Sequence, residues 1–366
     1  MKAIIATCFE SNEERVSFVY DAFISRGFDV SVITSDFSHI RKEKRNNVPE
    51  GYIALNAKPY RKNLSFGRLY SHYRFAKDAF LKIESEKPDL IWLMAPANSL
   101  IREADRYKKA HPEVKMIIDI IDMWPESLPI RVNKNIFPLN LWKNIRKDHI
   151  NCCDALVTEC DLYQGVLKNE YHDKMHTIYW SRNSQAKIHK ADLPSDSLSL
   201  VYIGSINNII DTGRIAAVIS KIRMPVRLHI IGDGESRNDF LEKLKKKCEI
   251  IYHGVIRDEE KKAEIFDQCH AGINIYREGL YIGLTVKCID YFEHGLPIIN
   301  NIKGDTWRLV DEYKAGINVD QKNIVDTNML MNMRHNNWNI YRLFEENFSK
   351  DVFTEKCLKV IDEVIK

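Results

Sequence analysis

The residues best suited to do chemistry stand in one run: Tyr281, Ile282, Gly283, Leu284, Thr285, Val286 and Lys287, followed three positions on by Asp290. Gly283 and Thr285 precede an apolar-periodic stretch at Val286, Ile289, Tyr291 and Phe292, which predicts a helix starting there. The unpaired N–H groups of a first helical turn, aided by the helix dipole, favour a bound anion, and a diphosphate fits that demand. Lys287 adds a positive charge to it. Asp290 lies more than a turn further along and has the acceptor oxygens for a ribose diol. Gly295, Leu296 and Pro297 then end the helix and send the chain into a buried strand at 298–299. A second reading is an amphipathic helix closed by Gly-Pro in an α/β protein of another kind.

A helix of this kind needs a sheet behind it. Strand-like apolar runs at 3–7, 30–34, 90–94, 116–121, 155–158 and 176–179 alternate with helical patterns, and a second series follows at 198–205, 226–231, 249–252, 272–275 and 297–299. That alternation predicts an α/β protein with parallel sheets in two Rossmann-like domains. The expected boundaries are 1–184 for the first domain, 185–198 for a polar linker containing Pro194, 199–348 for the second, and 349–366 for a terminal amphipathic helix. The first strand-to-helix turn carries Cys8, Phe9, Glu10, Ser11 and Asn12 without glycine, which argues against a nicotinamide fingerprint. Glycines stand instead after the second-half strands, at Gly204 and at Gly232 and Gly234, so nucleotide binding is expected there. Glycine in such turns also has a purely conformational use.

At 366 residues the chain exceeds one ordinary core, and 45% hydrophobic with 29% charged residues is a globular composition. A net charge of +3 is too small to argue for nucleic acid. The eight cysteines show no Cys-x-x-Cys spacing, so neither a metal site nor a disulfide framework is expected. No stretch has the apolar length of a membrane span, and the N-terminal residues lead into a short strand, which places the expected location in the cytoplasm.

The stretch 281–297 resembles the donor-site helix of the GT-B glycosyltransferases of family 4, retaining enzymes that use nucleotide-diphosphate sugars. Counting back from Gly295 and Pro297 places Asp290 on the second Glu of the family pattern and Ile282 on the first. Lys287, Asp290 and Tyr291 match a variant with a Lys-x-x-Glu-Tyr helix. The resemblance implies two Rossmann-like domains facing a central cleft. It also implies donor contacts from Gly204, Ser205, Gly232, Val255, Ile256, Tyr281, Gly283, Leu284, Thr285, Val286, Lys287 and Asp290. Ser205 stands where many members have Arg. The co-substrate implied is a nucleotide-diphosphate sugar, UDP-linked, with no metal and no other cofactor.

In the first domain, Asp122, Met123, Trp124, Pro125, Glu126 and Ser127 resemble a segment of bacterial members that build surface polysaccharides. By that resemblance Asp122 and Glu126 are the catalytic candidates, and Glu10 and Trp124 the acceptor-binding ones. Residue chemistry leaves open that Trp124 plugs the core and Asp122 caps the next helix. The region 60–77 interleaves Arg61, Lys62, Arg68, Arg74 and Lys77 with Tyr60, Phe66, Tyr70 and Tyr73. It suits an anionic membrane surface bearing a lipid-linked acceptor, or else an ordinary helix with solvated arginines. The expected function is sugar transfer to a glycan, lipid-linked or protein acceptor in surface glycan synthesis. Two alternatives are an inactive nucleotide-sugar-binding partner of another transferase and a GT-B sugar epimerase.

Overall fold

The apolar runs fold as two parallel sheets. The computed structural model describes residues 1–63, 65–128, 137, 139–183, 193–322 and 324–366. The chain divides into a first unit, Met1–Tyr179 with Phe353–Lys366, and a second, Trp180–Val352.

The first unit contains β1 (Lys2–Ala6), β2 (Asp29–Ser35), β3 (Tyr52–Leu55), β4 (Leu90–Ala95), β5 (Lys115–Ile120), β6 (Ala155–Thr158) and β7 (Met175–Thr177). They lie in the order β3-β2-β1-β4-β5-β6-β7, every neighbouring pair parallel. The middle strands are continuous apolar runs because helices cover both faces, and Ile4, Ile91 and Ile117 are fully buried. One polar pair is set into this core. Arg15, on the Glu13–Ser25 helix, donates through Nε and Nη2 to Asp119 of β5 at 2.8 and 2.9 Å, with both side chains fully buried. The Trp92 indole N–H also donates to Asp119, at 3.2 Å. Bidentate geometry with a third donor is what makes so deep an ion pair tolerable.

The helix Lys350–Ile365 supplies the rest of this core. Its Phe353 meets Phe18 edge-on at 5.4 Å and lies 5.0 Å below the Arg15 guanidinium, while Asp362 accepts two bonds from Arg26.

The second unit contains β8 (Leu198–Ile203), β9 (Val226–Ile231), β10 (Glu249–Gly254), β11 (Ala271–Asn274), β12 (Ile298–Asn300) and β13 (Gly316–Asn318). The order is β10-β9-β8-β11-β12-β13, again parallel throughout. The edge strands β3 and β13 are additions to the sequence expectation. Both are short and only partly buried, so neither carries the long apolar run that marks a central strand. Of the linker expected at 185–198, residues 185–192 lie outside the described residues, and Leu198 already belongs to β8.

Candidate functional site

In parallel sheets the strand carboxyl ends are where backbone turns and side chains converge on a ligand. In the second unit two of these turns dock backbone against backbone. Gly204 follows β8 at φ 120° and Gly232 follows β9 at φ 137°. A Cβ on Gly232 would lie 2.0 Å from the Gly204 carbonyl oxygen, and one on Gly234 would lie 2.3 Å from that of Ile206. Glycine is required here by contact as well as by φ. Amides of Gly204, Ile206 and Gly232 donate to Ile231, Asp233 and Gly254 carbonyls at 2.9, 2.9 and 2.7 Å, which ties the ends of β8, β9 and β10 together. Ser205 is exposed beside this junction, its carbonyl accepting from Tyr202 Oη at 2.8 Å. Val255, 62% exposed, and half-buried Ile256 follow β10.

The helix predicted after Gly283 runs Val286–Glu293. Thr285 precedes it in extended conformation but does not cap it. Its hydroxyl donates instead to Asn274 Oδ1 at 2.9 Å. Gly283 is buried against Gly304, and its carbonyl accepts from the amide and hydroxyl of Thr306, both at 2.9 Å. Tyr281 and Leu284 are half-buried on the approach, and Val286 is 44% exposed. Tyr291 anchors the helix: its hydroxyl accepts from the Ile203 amide at 3.0 Å, and its ring fills the space where a Cβ on Gly272 would clash at 2.5 Å.

Lys287 sits inside this frame. It is 9% exposed, its Nζ lies 4.1 Å from the ring centre of Tyr202 and 5.0 Å from that of Tyr276, and its end lines Gly204, where a Cβ would be 3.6 Å from Nζ. Among the described residues no carboxylate and no hydrogen-bond acceptor pairs with it. Burial lowers its pKa to about 7. A buried ammonium held only by ring faces is costly, and anion binding at Gly204 would relieve that cost. Asp290, one turn on, accepts from Arg182 Nε and Nη2 at 2.9 and 2.8 Å, both on Oδ1. Oδ2 carries no hydrogen bond among the described residues. Ile282, at the position of the missing carboxylate, packs against the apolar core of the unit.

In the first unit each candidate is held by neighbouring groups. Glu10 accepts from Ser38 Oγ at 2.7 Å and from the amides of His39 and Ile40 at 3.1 and 3.0 Å. Burial alone would raise its pKa, but the Ile40 amide, Ser38 hydroxyl and His39 amide together lower it. Its carboxylate therefore holds the 38–40 turn. Glu126 forms a bidentate pair with Arg146, Nη1 and Nη2 donating at 2.9 and 2.8 Å, and Arg146 also binds Glu170 and the Trp124 carbonyl. That pairing keeps Glu126 ionised and held on Arg146. Trp124 is 9% exposed: Arg68 lies 4.2 Å over its ring and His72 stacks on it at 6.0 Å. Of the two uses left open for Trp124, its burial fits the core position. Asp122 accepts from the Ser127 hydroxyl, and burial raises its carboxyl above the ordinary range.

The region 60–77 runs into a helix with two unlike faces. The helix Phe66–Glu86 turns Arg68 and His72 inward, 8% and 2% exposed, with Tyr60 buried beside them, while Phe66 and Tyr70 face solvent at 75% and 52%. Leu64 lies outside the described residues. A helix separates residues by 100° and so puts Arg68 and His72 opposite Phe66 and Tyr70. The i, i+4 spacing of Arg68 and His72, leading to buried Phe75 and Ala79, is the signal that marks them as inward.

Residues 197–329 match the family model Glycosyl transferases group 1. Among curated protein sequences none matches the chain. Solved structures do. The sucrose-phosphate synthase of Thermosynechococcus elongatus superposes with a TM-score of 0.73 at 12% identity, over 100% of this chain and 99% of that one. Anabaena Alr3699/HepE in complex with UDP gives 0.67 at 9% identity, over 99% of both chains. The apo form of the lipopolysaccharide outer core galactosyltransferase WaaB gives 0.61 at 14% identity, over 100% and 99%. The family match, with the glycine junction and Lys287 inside its span, and the fold shared along the whole chain support a glycosyltransferase of GT-B fold.

Proposed function

We propose that the protein is a retaining glycosyltransferase that moves a sugar from a UDP-linked donor to a glycan, lipid-linked or protein acceptor in bacterial surface glycan synthesis. The observation that carries the reading is Lys287, a buried and unpaired cation against Gly204 and one turn before Asp290. In this reading the diphosphate lies against the Gly204 turn and the start of the Val286–Glu293 helix, with Ser205 and Gly232 at the same junction. The stretch from Tyr281 and Gly283 through Leu284, Thr285 and Val286 contributes backbone to it. Asp290 Oδ2 takes the ribose, and Val255 and Ile256 flank the base. Lys287 and the helix start stabilise the charge that develops on the departing nucleoside diphosphate, with no metal assigned. HepE, one of the structural neighbours, has been solved with UDP-glucose, which supports a UDP-linked donor.

Without a paired carboxylate at Ile282, a same-face displacement in which the leaving phosphate helps deprotonate the acceptor is more economical than a double displacement. Asp122, raised in pKa and near the carboxyl end of β5, is the acceptor-side carboxyl in this scheme, and Glu10, Trp124 and Glu126 shape its surroundings. The exposed face of the Phe66–Glu86 helix, with Phe66, Tyr70 and Lys77, is assigned to peripheral contact with an anionic membrane at its cytoplasmic side. Among the described residues no helix is long and apolar enough to cross a membrane.

The isoleucine at 282 also favours a second reading, a donor-binding partner without turnover. A thermal-shift screen of nucleotide sugars followed by a donor-hydrolysis assay separates the two. Stabilisation by a nucleotide sugar with hydrolysis supports the enzyme, stabilisation alone the partner, and no stabilisation by any donor overturns both.

A further inference from the structure

The first unit contains a second buried cation without a salt bridge, the Asp122 carboxyl acting on it only at longer range. Arg68 is 8% exposed, and among the described residues no carboxylate lies within ion-pair distance of it. Its guanidinium is held by the rings of Trp124, Phe9 and Tyr60, at 4.2, 5.7 and 5.8 Å, by the Tyr60 hydroxyl, and by a bond from Nη1 to the Asn63 carbonyl at 3.2 Å. Nε has no hydrogen-bond partner in the protein, and neither does either ring nitrogen of His72, one helical turn away and 2% exposed. The Ser71 hydroxyl next to it is likewise unpartnered and fully buried. Buried polar atoms are almost always paired, so four such atoms on one turn of one helix are an unusual concentration.

The surroundings indicate what would pair with them. The acids nearby are already used: Glu10 by the 38–40 turn and Asp122 by Ser127. Lys42 packs 4.7 Å from the Tyr60 ring centre and donates to the His39 carbonyl and Asn63, which adds a second cation. His39 closes the cluster, its Nδ1 2.7 Å from Tyr60 Oη and its ring 5.8 Å from that of His72. Unpartnered donors remain on Arg68, Ser71 and His72, and an acceptor-only anion answers them.

We propose that Arg68, Lys42 and His72 form a subsite for an anionic group, a phosphate or a carboxylate, carried by the acceptor of the transferase. The assignment to an acceptor rests on the function proposed above; the anion site itself does not.

The test follows the anion by its effect on the histidines, since the donor side has neither His39 nor His72. The full chain, with isotope-labelled histidine, is titrated with methyl phosphate and separately with glucuronate while ring-nitrogen resonances are recorded. A saturable shift at His72 and His39 is expected. Replacing a charged hydrogen-bond donor should weaken it by about tenfold or more in Arg68→Gln, with partial retention in Arg68→Lys. Preference for one probe identifies the source as phosphate or carboxylate. No saturable shift in the folded wild type, or an equal response in Arg68→Gln, overturns the proposal. Where Arg68→Gln fails to fold, Lys42→Gln gives the same comparison. Loss of nucleotide-sugar binding with the histidine shifts intact would refute the transferase reading alone.

Discussion

Lys287→Met separates what the buried cation does for the ligand from what it does to the protein. Methionine keeps the length and approximate volume of the side chain against Tyr202 and Tyr276 while removing the charge. Burial takes the lysine from 10.5 to about 7, which at about 1.4 kcal/mol per tenfold is a cost to the charged form of roughly 5 kcal/mol. Because the folded pKa is the lower one, the penalty is absent above the unfolded value, grows as pH falls below it, and is complete below about 7. The unliganded variant should therefore be more stable near pH 7, by on the order of 4 kcal/mol. Donor binding should move the other way. A charge-assisted bond to phosphate contributes roughly 1.5 to 3 kcal/mol, or at least about tenfold in affinity. The wild type should also bind more weakly as pH rises, since the protonated fraction falls from about nine-tenths at pH 6 to about one-tenth at pH 8, again about tenfold. The assay is isothermal titration of UDP-glucose, a diphosphate diester that does not itself titrate in this range, at pH 6, 7 and 8 in two buffers of different ionisation enthalpy. Wild type should take up close to one proton on binding at pH 8, and Lys287→Met none. Equal affinity across the pH range, unchanged by the substitution, would refute the placement of Lys287 on the diphosphate.

Asp290→Asn should weaken donor binding by about tenfold or more through the lost charged acceptor, and titration of the same nucleotide sugar checks it; an unchanged dissociation constant removes the ribose assignment. Gly232→Ala should destabilise the second unit by on the order of 3 kcal/mol, because the methyl meets the Gly204 oxygen at 2.0 Å, as read by chemical denaturation. A double change, Phe66→Ser with Tyr70→Ser, should reduce co-sedimentation with anionic vesicles at low salt without altering donor affinity. Binding that is equal in the variant, or insensitive to salt, would count against the membrane contact.

The sheets were legible because parallel strands buried on both faces must be apolar along their length, as residues 90–94 and 116–121 are. The edges were not, since Tyr52–Leu55 and Gly316–Asn318 are short and half-covered and leave no such run. The helix after Gly283 was legible from its period and its Gly-Pro stop. What eluded the sequence is pairing at a distance. Nothing near Glu126 announces that Arg146 will occupy it, and nothing near Asp290 announces Arg182, because ion pairs are chosen by the fold and leave no local period. Trp124 was open in the sequence for a related reason: a large amphipathic ring suits a sugar and a core equally, and nothing local announces that Arg68 and His72 will lie over it.

The split of the first unit around the second has a consequence for how the chain becomes a protein. Residues 180–352 are in effect an insertion between Tyr179 and Phe353, so during synthesis the first sheet exists for some time without the helix that covers Phe18 and Arg15. The second unit, continuous in sequence, has all its strands before that helix is made. The expected order of maturation is thus reversed from the order of translation, with the second unit folding first and the first completed by the residues after 352. A nascent chain stalled before that point would leave Phe18 of the first unit without its Phe353 partner.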